Sequence, residues 1–250
     1  MYPPEHPYHH SVIGSMEDLD AASLQDVELF FRTYYAPNNA VLTICGDFDR
    51  EKTIDLIAHY FGTIAAGPPI PGIPGMLELP PTLQTEKRET VQQDVSLART
   101  FVAYRIPPYG DDRFYAADVA ATILGTGKAS LLNRTLVLKQ RTAQEVAAYG
   151  FPLVVGGSIL VALATVAEGV EVERTEADLL TVVDALRTVS DEDVARAVSL
   201  IEARHLTDLQ RVDHRADAFS MMTTLFDDPA RVNTEIDRYR AVTTSDVREF

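Results

Sequence analysis

Residues Val146–Val166, VAAYGFPLVVGGSILVALATV, hold two apolar runs either side of Gly156-Gly157. Paired glycines between two such runs predict a β-hairpin. Upstream, VSLARTFVAYRIP (Val95–Pro107) reads as another strand. Asp111 and Asp112 are placed to cap a helix that continues through Leu124 and closes at Gly125 and Gly127. A second helical stretch covers about Ser130–Gln140. Downstream the spacing predicts two long helices, roughly Glu171–Thr188 and one opening at the capping box Ser190-x-x-Asp193 with Val194, Val198, Ile201 and Leu209 on one side. Further helical turns cover Arg215–Phe226 and Asn233–Tyr239. The order strand, helix, two strands, two helices (β-α-β-β-α-α) predicts an α+β fold, a mixed sheet with helices on one face.

The first quarter of the chain reads differently. SLQDVELFFRTYY opens with the capping box Ser23-x-x-Asp26 and continues with Val27, Phe30, Phe31 and Tyr34 at helical spacing. Ala36–Asn39, APNN, stops that helix, and the apolar AVLTIC that follows reads as a buried strand. GDFDR then leads into a helix carrying Ile54, Ile57, Ala58 and Phe61. Between Ala66 and Pro81 stand six of the chain's fourteen prolines, a density no helix or central strand survives. The expected organisation is therefore residues 1–65 as one piece, a proline-rich linker over 66–85, and a longer piece over 86–250.

Two short segments repeat. ASLQDVELF (Ala22–Phe30) and VTTSDVREF (Val242–Phe250) each place Ser or Thr three before Asp-Val and Phe three after that Val. Read as copies of one unit, they predict that the chain stops one turn into a helix whose first copy continues to Tyr35 and feeds a strand, as in an excised segment.

The net charge of −15 argues against nucleic acid, whose binding rests on Lys and Arg neutralising phosphates, and against an anionic membrane surface. No apolar run approaches the roughly 20 residues of a membrane span. MYPPEHPYHH has neither the basic start nor the apolar core of a signal peptide, although one removed upstream would leave no trace. The expectation is a soluble protein, cytoplasmic or periplasmic. The lone Cys45 excludes an internal disulfide and a thiolate cluster; inside AVLTIC it reads as a small core residue.

Glu5–His10, EHPYHH, gathers metal-ligating side chains. A zinc site needs three or four of them at tetrahedral geometry. His6 and His10 have helical i, i+4 spacing, but Pro3, Pro4 and Pro7 oppose a helix there, leaving only chelation from a loop by Glu5, His6, His9 and His10. The alternative is a polar lead-in that packs Tyr8, Val12 and Ile13 against the domain. His205, between Ile201 and Leu209, reads as a boundary residue, and His59 and His214 have no partners at ligand spacing. GTGKAS (Gly125–Ser130) lacks both the earlier glycine and the following Ser or Thr of a phosphate loop, and reads as a helix end. No catalytic centre is legible.

The segment HPYHHSVIGSMEDLDAASLQDVELFFRTYYAPNNAVLTICGDFD and the later AYRIPPYGDDRFYAADVAATILGTGKASLLNRTLVLKQRTAQEVAAY together resemble the insulinase/pitrilysin-type zinc metallopeptidases, the family of the mitochondrial processing peptidase. The resemblance covers nearly the whole chain. It implies the half-domain of LuxS/processing-peptidase-like metallohydrolases, duplicated within one protein. It also implies zinc held by an inverted His-x-x-Glu-His motif that precedes the segment HPYHH matches, so the ligands would lie upstream of Met1 and none in this chain. The family's second half carries an Arg and a Tyr, seven residues apart, that position substrate; matching LVLKQRTAQEVAAY to that stretch places Val137 and Gln144 there, both departures, with Arg141 and Tyr149 nearby in another register. The resemblance thus implies part of a peptide-hydrolysing zinc endopeptidase, with this segment as scaffold and chamber wall. Its partners would be peptide substrates and the catalytic half or a partner subunit. The alternative is a non-catalytic structural or peptide-holding subunit of the same fold.

Overall fold

The computed structural model describes residues 1–72, 79–80, 83 and 85–250. Its helices are α1 (Met16–Ala21), α2 (Leu24–Tyr34), α3 (Arg50–Phe61), α4 (Asp112–Gly125), α5 (Val172–Asp184), α6 (Asp191–Gln210), α7 (Val212–Phe226), α8 (Glu235–Arg240) and α9 (Thr244–Glu249). Among the described residues there are three strands: β1 (Arg99–Ile106), β2 (Ala143–Phe151) and β3 (Ser158–Val166). Of the predicted linker 66–85, positions 73–78, 81, 82 and 84 lie outside the described residues, and its other positions carry no helix or strand. The chain separates into two compact units: Met1, Leu77–His205 and Thr234–Phe250 form one, Tyr2–Met76 and Leu206–Asn233 the other.

The first unit has the expected α+β order β1-α4-β2-β3-α5-α6. The predicted hairpin forms, with β2 antiparallel to β3, and β1 completes a sheet of order β1-β3-β2 whose two pairings are both antiparallel. Strand side chains alternate between faces. Ile106, Ala148, Leu160, Ala162, Ala164 and Val166 form the buried face. Against it lies α4, whose residues from Phe114 to Leu124 are all buried apart from Asp118. A helix apolar all round is one covered on every side, and here the sheet, α8 and α9 supply cover. Between Ser130 and Gln140 the predicted helix forms as a π-helix over Asn133–Lys139.

Capping explains where these helices start. Ser190 and Asp193 exchange side-chain and backbone hydrogen bonds before α6, and Thr243 and Asp246 form the same box before α9. Removing such a cap orphans a backbone N–H, so Thr243→Ala is expected to cost about 1 kcal/mol in urea denaturation. Asp193 and Asp246 are held below the ordinary carboxylate range chiefly by the hydroxyls of Ser190 and Thr243. Asp118 is pushed above it by burial, against the hydrogen bond from Tyr239 and the charge of Arg204. The signs are opposite. The cap carboxylates contribute stability above their unfolded pKa that is lost as pH falls through their lowered values, whereas ionising Asp118 costs stability as pH rises through its raised value. Asp118→Asn is expected to flatten the decline on the rising side only, and Asp246→Asn the decline on the acid side only, in urea titrations over pH 3–8.

The second unit contains α1–α3 and α7. The capping box of α2 forms as predicted, with Ser23 and Asp26 hydrogen bonded in both directions. APNN stops the helix by specific bonds: Asn39 donates from Nδ2 to the Tyr34 carbonyl at 2.8 Å, and Asn38 accepts from the Gly67 N–H at 2.8 Å. AVLTIC differs from the expectation, because Val41–Cys45 joins no strand among the described residues. A strand needs a partner strand as well as a β-forming sequence, and here the hydroxyl of Thr43 accepts a 2.8 Å hydrogen bond from that of Ser220, a helical residue. Cys45 is accordingly only partly buried.

Candidate functional site

EHPYHH folds as a short 3-10 turn over Pro7–His9, started by the prolines that oppose an α-helix. His6 is fully buried, stacked on Tyr2 with ring centroids 4.7 Å apart, and its Nδ1 accepts from the Tyr8 N–H at 3.1 Å. His9 donates from Nδ1 to the Tyr2 carbonyl at 2.8 Å. The stretch is thus a local aromatic and hydrogen-bonded plug. Val12 and Ile13, expected to pack against the domain, are fully exposed instead. His205 is half-buried on α6 as expected, while His214 is not alone: it lies 3.5 Å from Asp208.

Val137 and Gln144 sit on consecutive elements with different surroundings. Val137, in the π-helix, is half-buried against the main core. Gln144 is exposed at a register break in β2, where Ala143 pairs with Val166 and Glu145 with Thr165. An extra residue in one strand is a β-bulge, which re-aims its side chain. Arg141, just before β2, is exposed with φ +59°.

The sheet face turned away from α4 is the more distinctive feature. Registered rows run across three strands: Phe101–Leu163–Ala147, Ala103–Val161–Tyr149, and Arg105–Ile159–Phe151. Phe101 is 58 % exposed, Phe151 47 % and Tyr149 40 %, while Ile159, Val161 and Leu163 are half-buried between them. Tyr149 and Phe151 meet edge to face at 5.3 Å. Charge is confined to the ends of this face, at Arg99 and Glu145 and at Arg105. The last donates to the carbonyls of Pro80, at 2.9 Å, and Met1.

A buried polar network on the other side was not foreseen. Tyr109 and Tyr115 both donate to Oε1 of Glu235, at 2.8 and 2.7 Å, and Tyr239 donates to Asp118 at 2.9 Å. Arg238 pairs with Asp112 at 2.8 Å. Asp112, Tyr115 and Asp118 are spaced three apart and share one face of α4, so α8 is held along that face. Asp118, standing inside the apolar run YAADVAATIL, was the visible signal.

Residues 21–201 match the family model described as the peptidase M16 inactive domain. Over 149 residues the chain is 30% identical to the zinc protease PqqE of Helicobacter pylori, covering 59% of this chain and 33% of that protein. Over 133 residues it is 28% identical to an uncharacterized zinc protease of Mycobacterium leprae, covering 51% of this chain and 28% of that one. The chain thus spans about a third of the length of the curated relatives it matches. A solved protease from Helicobacter pylori superposes with TM-score 0.85 at 22% identity, over 98% of this chain and 59% of that one. The peptidase M16 inactive domain from Pseudomonas fluorescens does so with TM-score 0.77 at 19% identity, over 98% and 57%.

Zinc, which the relatives' names carry, finds no fitting set of ligands among the described residues. Among the described residues no three His, Cys, Asp or Glu side chains converge, and the lone pair on Nδ1 of His6 is already used by the Tyr8 N–H. Among the described residues, likewise, no helix is long and apolar enough to cross a membrane. Since the match to the peptidase M16 inactive domain runs from just before α2 through the whole sheet into α6, the chain belongs to the peptidase M16 family.

Proposed function

We propose that the chain is the non-catalytic part of a zinc endopeptidase, and that the open face of β1-β3-β2 is wall for a peptide cleaved at a zinc held elsewhere. The observation that carries this reading is the apolar face itself, with Phe101, Tyr149 and Phe151 open to solvent beside Val161 and Leu163. A single-domain protein gains by burying such a surface, at about 25 cal/mol per Å², and an exposed apolar patch marks a binding surface. An extended peptide lying there would be held by apolar contact and by backbone hydrogen bonds at a sheet edge. Zinc chemistry belongs to the part that carries the metal. This part holds and orients.

A second reading, a structural or peptide-holding subunit whose catalytic partner is a separate chain, is favoured by Val137 and Gln144 where the family's Arg and Tyr are expected. A side chain packed into the core and one exposed at a bulge do not form a substrate clamp. Both readings predict that the purified chain leaves a quenched fluorogenic peptide intact with or without added zinc. They also predict that it binds a labelled apolar peptide, and that Phe101→Asp weakens that binding about tenfold, near 1.4 kcal/mol. Chelator-sensitive hydrolysis by the chain alone would overturn the non-catalytic assignment, and unchanged binding in Phe101→Asp would overturn the wall.

A further inference from the structure

We infer that the open face of β1-β3-β2 carries a diagonal channel for an extended peptide with two large apolar side chains four residues apart. A basic residue stands two positions outside one of them, and an acidic residue two positions outside the other. This rests on the wall reading above and names the class of peptide that the wall takes.

The two outer strands alternate large and small side chains in opposite senses. Along β1 the face carries Phe101, Ala103 and Arg105, and along β2 Glu145, Ala147 and Tyr149. Phe101 lies across Leu163 from Ala147, and Ala103 lies across Val161 from Tyr149. The exposed rings of Phe101 and Tyr149 therefore stand at opposite corners of a rectangle, with alanines at the other two. A small residue between large ones leaves a hollow. The line joining the two hollows passes between the rings, over the half-buried Leu163 and Val161. Strands about 4.8 Å apart and rows about 6.7 Å apart put the two alanine Cα atoms about 12 Å from each other. An extended peptide covers about 13 Å in four residues, and its side chains at i and i+4 point to the same face. One such pair reaches both hollows.

Each hollow has a charge just beyond it. Glu145 precedes Ala147 along β2, and Arg105 follows Ala103 along β1. Among the described residues no cation pairs with Glu145 and no carboxylate with Arg105. Arg105 gives its Nη atoms to the carbonyls of Pro80 and Met1, and its Nε is buried without an acceptor. Its charge is thus left for a ligand to balance. A separate observation concerns Thr165, which stands between Arg99 and Glu145 in the end row. Thr165 is 7 % exposed, and its hydroxyl oxygen is buried with no hydrogen-bond partner. Buried hydroxyls in folded proteins are hydrogen bonded, and an ammonium group at Glu145 would donate to this one as well as to the carboxylate. Arg99 lies on the far side of Thr165, about 10 Å from Glu145 by strand spacing, so the basic residue belongs on the β2 side. Opposite charges at the two ends then set register and direction, while the apolar pair supplies affinity.

The test is fluorescence anisotropy of the labelled peptide KSLSASLSE and its variants on the purified chain. Ala103→Leu fills the hollow at the Arg105 end, and because Ala103 is exposed the fold is kept. This variant should bind KSLSASLSE about tenfold more weakly, the loss of one leucine's burial. It should prefer KSLSASASE, in which the leucine nearest the glutamate is trimmed. Ala147→Leu should show the mirror preference, for KSASASLSE. A reversed preference cannot come from misfolding, which would weaken every peptide alike. Filling a hollow would make a flat apolar wall stickier, so tighter binding of KSLSASLSE by Ala103→Leu would overturn the channel. So would one preference shared by both variants. In low salt KSLSASLSE should bind about threefold tighter than KSLSASLSK or ESLSASLSE, a difference lost at about 0.5 M salt. Tightest binding of KSLSASLSK would show that the net charge of −15 governs, and would overturn the assignment of the two ends. Phe101→Asp without effect would sink the wall and the channel with it. Loss of binding in Phe101→Asp, with no reversal in either leucine variant, would sink the channel alone.

Discussion

Gly125→Ala is expected to cost at least about 3 kcal/mol, the upper range for forcing extra volume into a packed interior, and to leave much of the first unit unfolded at moderate urea. Gly125 ends α4 where the helix touches the middle of β2. A Cβ built there falls 2.0 Å from the Ala148 nitrogen, 2.7 Å from its Cα and 2.8 Å from the Ala147 carbonyl carbon. All three are backbone atoms of a strand paired to β3 through Ala147↔Leu163 and Ala148↔Ala162. No rotamer relieves the clash, so α4 must move off the sheet, and with it the core of Val119, Ala120, Ile123 and Leu124. Gly127 is the internal control. Its φ of +76° places it in the left-handed region, but nothing lies within 4 Å of its Cβ position, so Gly127→Ala is expected to cost only about 1–2 kcal/mol through backbone strain. Urea midpoints by circular dichroism check both. Equal midpoint shifts for the two variants would show that the close approach does not control the packing.

That contrast also bears on what the sequence could say. GTGKAS was legible as a helix end, and so were the hairpin of Val146–Val166, the two capping boxes Ser23/Asp26 and Ser190/Asp193 and the element order of the first unit, because each is set by neighbours in sequence. The reason for glycine at 125 is a contact with residues more than twenty positions away, and no local pattern encodes it. AVLTIC shows the reverse limit. Its composition is that of a strand, yet strand formation depends on a partner, and none is supplied by the described residues. The candidate site was less legible than the fold. Two residues were placed by family resemblance, Val137 and Gln144, and they sit in a core contact and at a bulge. The open sheet face follows from alternation only once the pairing order β1-β3-β2 is known, since β1 and β3 are neighbours in space but lie more than fifty residues apart in sequence.

The second large effect is expected at Glu235. This carboxyl is nearly fully buried and takes hydrogen bonds from both Tyr109 and Tyr115 on a single oxygen. Glu235→Ala removes both bonds and opens a cavity beside Tyr115, which is fully buried. A buried donor deprived of its acceptor costs about 1–3 kcal/mol, and the cavity adds to it, so a loss of about 3 kcal/mol or more is expected. Glu235→Gln keeps an acceptor oxygen in place and should cost about 1 kcal/mol. Tyr115→Phe deletes one donor at nearly constant volume and should fall between them. Because Tyr109 and Tyr115 share one acceptor, Tyr109→Phe combined with Tyr115→Phe should cost less or more than the sum of the two, a coupling that a double-mutant cycle measures directly. The location of the loss matters as much as its size. Glu235 opens the segment 234–250 that returns to α4 through Arg238–Asp112 and Tyr239–Asp118, and that ends with the fully buried Val247. If the network serves to hold this segment, Glu235→Ala should raise hydrogen exchange first in α8 and α9 and on the Asp112–Asp118 face of α4, with β2 and β3 following only at global unfolding. Uniform loss of protection across the unit would mean instead that the buried carboxyl supports the whole core and that α8 and α9 have no separate hold on α4.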